Sequence, residues 1–152
     1  TAKLFEASAR LGAILAGSPS SIETACADYG QALGTAFQVI DDVLDYEGNA
    51  AEMGKNLGDD LREGKATLPL ILAMQRGNEA QRQTVREAIE TGSVDKITEI
   101  AHIVRVTGAL EATRNAAAAE AQRAIDAAML LPDNPHRSAL LTLASQLLNR
   151  RT

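Results

Sequence analysis

The sequence predicts an all-α fold, a helical bundle built from about seven helices. Three observations carry that expectation. Apolar residues recur every three or four positions along most of the chain. No stretch alternates β-branched and polar residues over the length of a strand. The composition is Ala-rich, with four Pro and no Trp, and Ala, Leu, Glu and Arg are the better helix formers.

The first helix is in register almost from residue 1. In "TAKLFEASARLGAILAG", Leu4, Ala7, Leu11, Ile14 and Leu15 keep helical spacing, and Gly17 ends the run. The chain thus opens inside a helix, without Met or a capping residue, which suggests a piece of a longer polypeptide. "SPSSIE" restarts the chain: Pro19 suits a first helical turn, and Ser20 with Glu23 has capping-box spacing. A long second helix should run to Glu47, where Gly48 and Asn49 stop it.

Residues 48–66 are Gly-rich, charged and weakly periodic, which reads as a long loop with at most a short helical turn. Loops of that length inside compact domains are usually functional or disordered. Thr67 opens a short apolar helix that Gly77 closes, and Asn78 with Gln81 can cap the next, 79–91. A further amphipathic helix ends at Gly108, and a long Ala-rich one follows. "PDNP" breaks it, leaving a last helix over 135–150. With no linker and no repeat, the 152 residues read as a single helical domain.

Composition excludes several function classes. The net charge is −5, the cations are scattered and aromatics make up 3%, which argues against nucleic-acid binding. The longest apolar run, "LPLILAM" at 68–74, is far short of the roughly 20 residues a membrane span needs. A single cysteine, Cys26, permits no internal disulfide and reads as a small core residue. Together these point to a cytoplasmic protein. His102 and His136 lack partners at metal-ligand spacing and read as structural, and Met53, Met74 and Met129 as packing residues.

One stretch breaks the pattern. "GTAFQVIDDVLDYEG", 34–48, places three acids inside a run that is otherwise apolar. Advancing about 100° per residue from Asp41, Asp45 falls near 40°, Gln38 near 60° and Asp42 near 100°. Gly34 and Gly30 fall near 20° and −20° on the same arc, and about two-thirds of the circumference is apolar. A helix apolar over that much of its surface is buried, so the acids crowd on a narrow arc. Like charges at this spacing cost a few tenths of a kcal/mol each, and more when desolvated, unless a cation compensates. The glycines leave room on that arc for a ligand. Carboxylate oxygens beside such a space suit Mg²⁺, which keeps waters and bridges to phosphates. Lys55 and Lys65, flanking Asp59 and Asp60 in the loop that follows, are candidate phosphate contacts.

These residues together carry a resemblance. "FQVIDDVLDY" is similar to the second aspartate-rich motif of the trans-isoprenyl diphosphate synthases, and "GKNLGDDLREGKATLPL" to the segment that follows it there. The likeness is strongest to the bacterial long-chain, polyprenyl-forming members, and it extends over nearly the whole chain. It implies the C-terminal part of the isoprenoid synthase fold around a central cavity. It implies prenyl transfer, joining isopentenyl diphosphate to an allylic diphosphate to build a long-chain polyprenyl diphosphate. In that reaction Mg²⁺ assists departure of the allylic diphosphate, the alkene attacks the resulting carbocation, and pyrophosphate removes the proton.

By match, Asp41 binds Mg²⁺ directly, with Asp42 and Asp45 completing the site. Lys55 contacts the allylic diphosphate. Lys65 holds the loop or a diphosphate oxygen. Gln38 faces the carbocation and Phe37 the isopentenyl group. Thr1 corresponds to the threonine of a Lys-Thr pair lining the same spot. The family's first aspartate-rich motif has no counterpart in these residues. The resemblance therefore implies a C-terminal half that is inactive alone, and that forms a homo-oligomer or pairs with the N-terminal half. Two other readings stand beside it: a non-catalytic helical module that pairs with a synthase, and a terpene cyclase. "GDDLREGKATLPL" favours the synthase over the cyclase.

Overall fold

The computed structural model describes residues 1–47 and 58–148, all in helices and short connections, with no strand among the described residues. The helices are α1 (Ala2–Leu15), α2 (Ser20–Glu47), α3 (Asp59–Arg62), α4 (Leu68–Arg76), α5 (Glu79–Thr91), α6 (Ile97–Val106), α7 (Ala109–Met129) and α8 (Pro135–Leu147). Helix α3 is the short helical turn allowed for within the stretch read as a long loop. Two compact units divide the chain, and their boundaries fall inside α2, after Ile40, and inside α7, after Asn115.

The first unit holds α1, most of α2, the later part of α7, and α8. Its core is built largely from alanine. Ala117, Ala121, Ala124 and Ala128 are fully buried at alternating four- and three-residue spacing along α7, a stripe that lets neighbouring helices approach closely. Ala124, Ala127 and Ala128 pack with Tyr29 and Ala32 of α2, Ala144 of α8, and the half-buried Leu33, Leu140 and Leu141. Tyr29 donates its hydroxyl to the Leu140 carbonyl at 2.9 Å, tying α2 to α8.

Two expectations for this unit change. Ser20 is the first residue of α2 rather than its cap, and the Glu23 carboxylate accepts from Arg10 Nε at 2.7 Å instead of turning back on its own helix end. The periodic stripe of α1 is not core either. Leu4, Leu11, Ile14 and Leu15 stand 70%, 54%, 48% and 86% exposed, while Ala13 is buried. The α1 face that packs is the one carrying Ala2 and Phe5, because Gly30 and Gly34 of α2 let its backbone come close. Met129, expected to pack, is also exposed.

The second unit holds the last turns of α2, α3 to α6, and the start of α7. Tyr46, Leu61, Leu70, Ala73, Val85, Ile100, Val104 and Ala109 are buried together in one cluster. The helix ends follow the sequence signals. Asn78 and Gln81 form a reciprocal capping box at α5, with both bonds at 2.9 Å. Gly92 and Gly108 take left-handed φ after α5 and α6. Thr67 precedes α4, with Pro69 in the first turn.

Candidate functional site

Most of the candidate residues sit on α2, and its composition explains their placement. Ile40, Val43 and Tyr46 are buried, which fixes the rotation of the helix end. Asp41 and Asp45 are then half-buried and Asp42 is only 8% exposed. Among the described residues, no three His, Cys, Asp or Glu side chains converge as a ready-made metal cage. That does not disqualify Mg²⁺, which is commonly held by one or two carboxylates plus phosphate oxygens and water.

The geometry at Asp45 is the most informative. Its Oδ1 accepts from the Asp59 N–H at 3.1 Å and its Oδ2 from the Asp60 N–H at 3.3 Å. Its main-chain carbonyl accepts from the Gly58 N–H, also at 3.3 Å. Burial pushes the Asp45 carboxyl up, and the Asp60 charge adds to this; the two backbone N–H bonds oppose it. Beside it, burial drives the Tyr46 phenol well above its ordinary range, and the charges of Asp45, Asp60 and Asp42 push the same way, against the neighbouring Thr67 hydroxyl. Both the Tyr46 and Thr67 hydroxyls are buried without a well-formed hydrogen bond. The acid-bearing end of α2 is thus a region of concentrated negative charge. Its outer edge is held by Glu47, which accepts from Arg114 Nε at 3.0 Å.

Lys65 is exposed and ion-paired to Glu63 at 2.7 Å and Asp60 at 3.0 Å. The hydrogen bond to Glu63, then that to Asp60, holds its ammonium well above the usual lysine range. Lys55, the other expected phosphate contact, lies outside the described residues, as do Gly48 and Asn49. In the first unit, Thr1 Oγ1 donates to Gln38 Oε1 at 3.1 Å, and Phe37 packs on Phe5 with ring centroids 5.9 Å apart. The structure therefore brings Thr1 to Gln38, and Asp45 to the turn that carries Asp60 and Lys65.

One reading of the acid stripe fails. Gly30 and Gly34 do not leave space for a ligand. A Cβ on Gly30 would lie 2.4 Å from the Phe5 carbonyl oxygen, and one on Gly34 2.8 Å from Ala2 Cα. Helix α1 fills that groove. The sequence reading also missed Tyr46, Thr67 and the part Asp60 plays. A signal for the last was present: Gly58 and Gly64 bracket "DDLRE", the mark of a one-turn helix with glycine at each end. Cys26, expected as a small core residue, is only half-buried, and burial pushes its thiol up.

Residues 1–106 match the family model described as polyprenyl synthetase. Octaprenyl diphosphate synthase of Escherichia coli is 50% identical over 145 residues, covering 95% of this chain and 45% of that protein. The crystal structure of a decaprenyl diphosphate synthase from Rhodobacter capsulatus superposes with a TM-score of 0.89 at 42% identity, over 98% of this chain and 46% of that one. A polyprenyl synthase from Caulobacter crescentus, crystallised with calcium and isoprenyl diphosphate, gives 0.88 at 42% identity, over 100% and 47%. The chain spans about half the length of the curated relatives it matches.

Proposed function

The chain belongs to the polyprenyl synthetase family, and from that premise we propose that it serves prenyl transfer, the condensation of isopentenyl diphosphate with an allylic diphosphate into a long-chain polyprenyl diphosphate. The observation that carries this reading is the acid-bearing end of α2, joined through Asp45 to the turn that bears Lys65. The relative crystallised with calcium and isoprenyl diphosphate gives the same reading support, since that pair is a divalent cation with a diphosphate.

In this reading Asp41 holds Mg²⁺ directly, and Asp42 and Asp45 complete the site around it. All-oxygen donors, partly desolvated and mutually repelling, suit a small hard cation. The bound ion supplies charge neutralisation to the departing diphosphate. Lys55 and Lys65 supply point charges to the same oxygens; Lys65 has a third N–H to donate beside its two acid partners. Thr1 and Gln38 form a polar pair directed at the carbon that becomes positive, and Phe37 lies against the isopentenyl group. The exposed apolar face of α1 supports pairing with a further polypeptide, whether a second copy or the N-terminal half of such a synthase.

Thermal unfolding with Mg²⁺, pyrophosphate, or both tests the metal and diphosphate part. The pair together should stabilise the chain more than either alone. Mass action allows about 2.7 kcal/mol at a hundred times the dissociation constant, roughly 5–10 °C for a chain of this size. A melting temperature that the pair leaves unmoved would refute the reading.

A further inference from the structure

We propose that Asp45 completes the site by positioning rather than by ligation: through the backbone of α3 it sets where Lys65 stands. This deepens the preceding reading and rests on it for the role of Lys65. Four residues are too few to hold a helix by themselves, so α3 depends on its surroundings. Its first two N–H groups, which no helix can satisfy internally, are taken by the two oxygens of Asp45, at 3.1 and 3.3 Å. The Gly58 N–H just before them goes to the carbonyl of the same residue.

The other end of α3 closes on Lys65. The Lys65 N–H donates to the Asp60 carbonyl at 2.9 Å and the Gly64 N–H to the Leu61 carbonyl at 2.9 Å. Gly64 takes φ +69°, the arrangement of a glycine-terminated helix end. The Asp60 carboxylate then accepts from Lys65 Nζ at 3.0 Å. Asp60 is therefore gripped by Asp45 at its N–H and itself grips Lys65 at both main chain and side chain. Little else can move. Leu61 is fully buried. A Cβ on Gly58 would lie 2.5 Å from Ile97 Cδ1, and one on Gly92 2.9 Å from the Arg62 carbonyl oxygen. Each Asp45 oxygen already accepts an N–H of the turn, which spends part of the carboxylate's capacity there, and the direct contact to the cation stays with Asp41, as in the preceding reading.

Two measurements on the 152-residue chain test this. The first is amide hydrogen exchange by NMR. Asp45→Ala should speed exchange at Asp59, Asp60 and Lys65 about tenfold, while the α4 and α6 core amides and the same sites in Asp41→Ala keep their rates. The second is binding of Mn²⁺ alone, by electron paramagnetic resonance, and of pyrophosphate in excess Mg²⁺, by calorimetry. Asp45→Ala and Lys65→Ala should each weaken pyrophosphate about tenfold, and the double variant no more than either. Mn²⁺ affinity should survive Asp45→Ala within about twofold and fall in Asp41→Ala. Should Asp45→Ala not fold, Asp60→Asn serves in its place, weakening pyrophosphate while leaving exchange at Asp59 unchanged. Unchanged exchange at Asp59, Asp60 and Lys65 overturns the proposal, as do additive losses or a fall in Mn²⁺ affinity equal to that of Asp41→Ala. If the wild-type chain binds no pyrophosphate with Mg²⁺, the functional reading falls, and exchange alone decides whether Asp45 holds the turn.

Discussion

Two stretches of α2 put the same arc of the helix to opposite uses. Over residues 30–34 the arc carries two glycines, and its work is steric. Gly30 is filled by the backbone of α1, and Gly34 by Ala2 and the Phe5 side chain. Over residues 41–47 the arc is made of acids, and its work is electrostatic. Asp42 is desolvated, burial holds the Asp45 carboxyl above its ordinary range, and Tyr46 beside it is pushed the same way. A wheel drawn from the sequence shows one continuous polar and glycine stripe. The structure divides it into a packing half, where adding atoms does harm, and a charged half, where the effect of removing a charge depends on what that acid holds.

The largest effect should come from adding one methyl group in the packing half. At Gly30→Ala the new Cβ would meet Phe5 O at 2.4 Å, Phe5 C at 2.8 Å and Glu6 Cα at 2.9 Å. All three are backbone atoms and none can swing away. Overpacking of that kind costs about 3 kcal/mol, roughly 6–12 °C in melting temperature. Gly12 is the control. A Cβ there meets nothing within 4 Å, so Gly12→Ala should stabilise by up to about 1 kcal/mol through helix propensity. Equal shifts at the two positions in chemical denaturation would erase the steric half of the comparison.

The contrast also shows what could be read in advance and why. The helices were legible because their ends carry chemical marks: Thr67, Gly77, the Asn78–Gln81 box and Gly108 all act where the sequence places them. The acids were legible because charge inside an apolar run is costly and so calls for an explanation. What the sequence could not carry was choice of partner. Whether Gly30 faces a ligand or a neighbouring backbone depends on how the preceding helix, α1, folds back onto α2, and periodicity does not specify that. The apolar stripe of α1 misleads for the same reason: spacing identifies a face, not what covers it. Asp45 looked like one more member of a cluster, because a carboxylate that caps a turn fourteen residues away leaves no local signature.

A smaller effect tests the packing half by a polar route. Tyr29→Phe removes the hydrogen bond to the Leu140 carbonyl and should cost about 1 kcal/mol at neutral pH. Burial pushes the Tyr29 phenol up to about 12, from an ordinary value of 10. The unfolded chain therefore releases this proton before the folded chain does. The associated stability is fully present below pH 10 and is lost as pH rises through the folded value. Urea unfolding at pH 9 and pH 11 should show the gap between wild type and Tyr29→Phe narrowing at the higher pH. A gap that stays constant would mean the phenol is better solvated than its 4% exposure implies, and one that widens would mean the fold favours the phenolate.

The smallest effect has the opposite sign and belongs to the charged half. Asp41→Asn keeps the shape of the side chain and removes one charge from a crowded arc, with Asp45 one turn on and Asp42 adjacent. Relief of like-charge repulsion at that spacing is worth a few tenths of a kcal/mol, so the cation-free variant should be as stable as wild type or up to about 0.5 kcal/mol more stable. The same substitution at Asp45 should go the other way. There the amide nitrogen of Asn would confront the Asp59 or Asp60 N–H that the carboxylate accepts, and loss of such a cap costs about 1 kcal/mol. Two neighbouring acids on one helix would thus shift stability in opposite directions. Measured by urea unfolding without divalent cations, a loss above about 2 kcal/mol in Asp41→Asn would show that Asp41 also holds the fold through hydrogen bonds. In that case the line between the two halves of α2 would fall beyond Asp41.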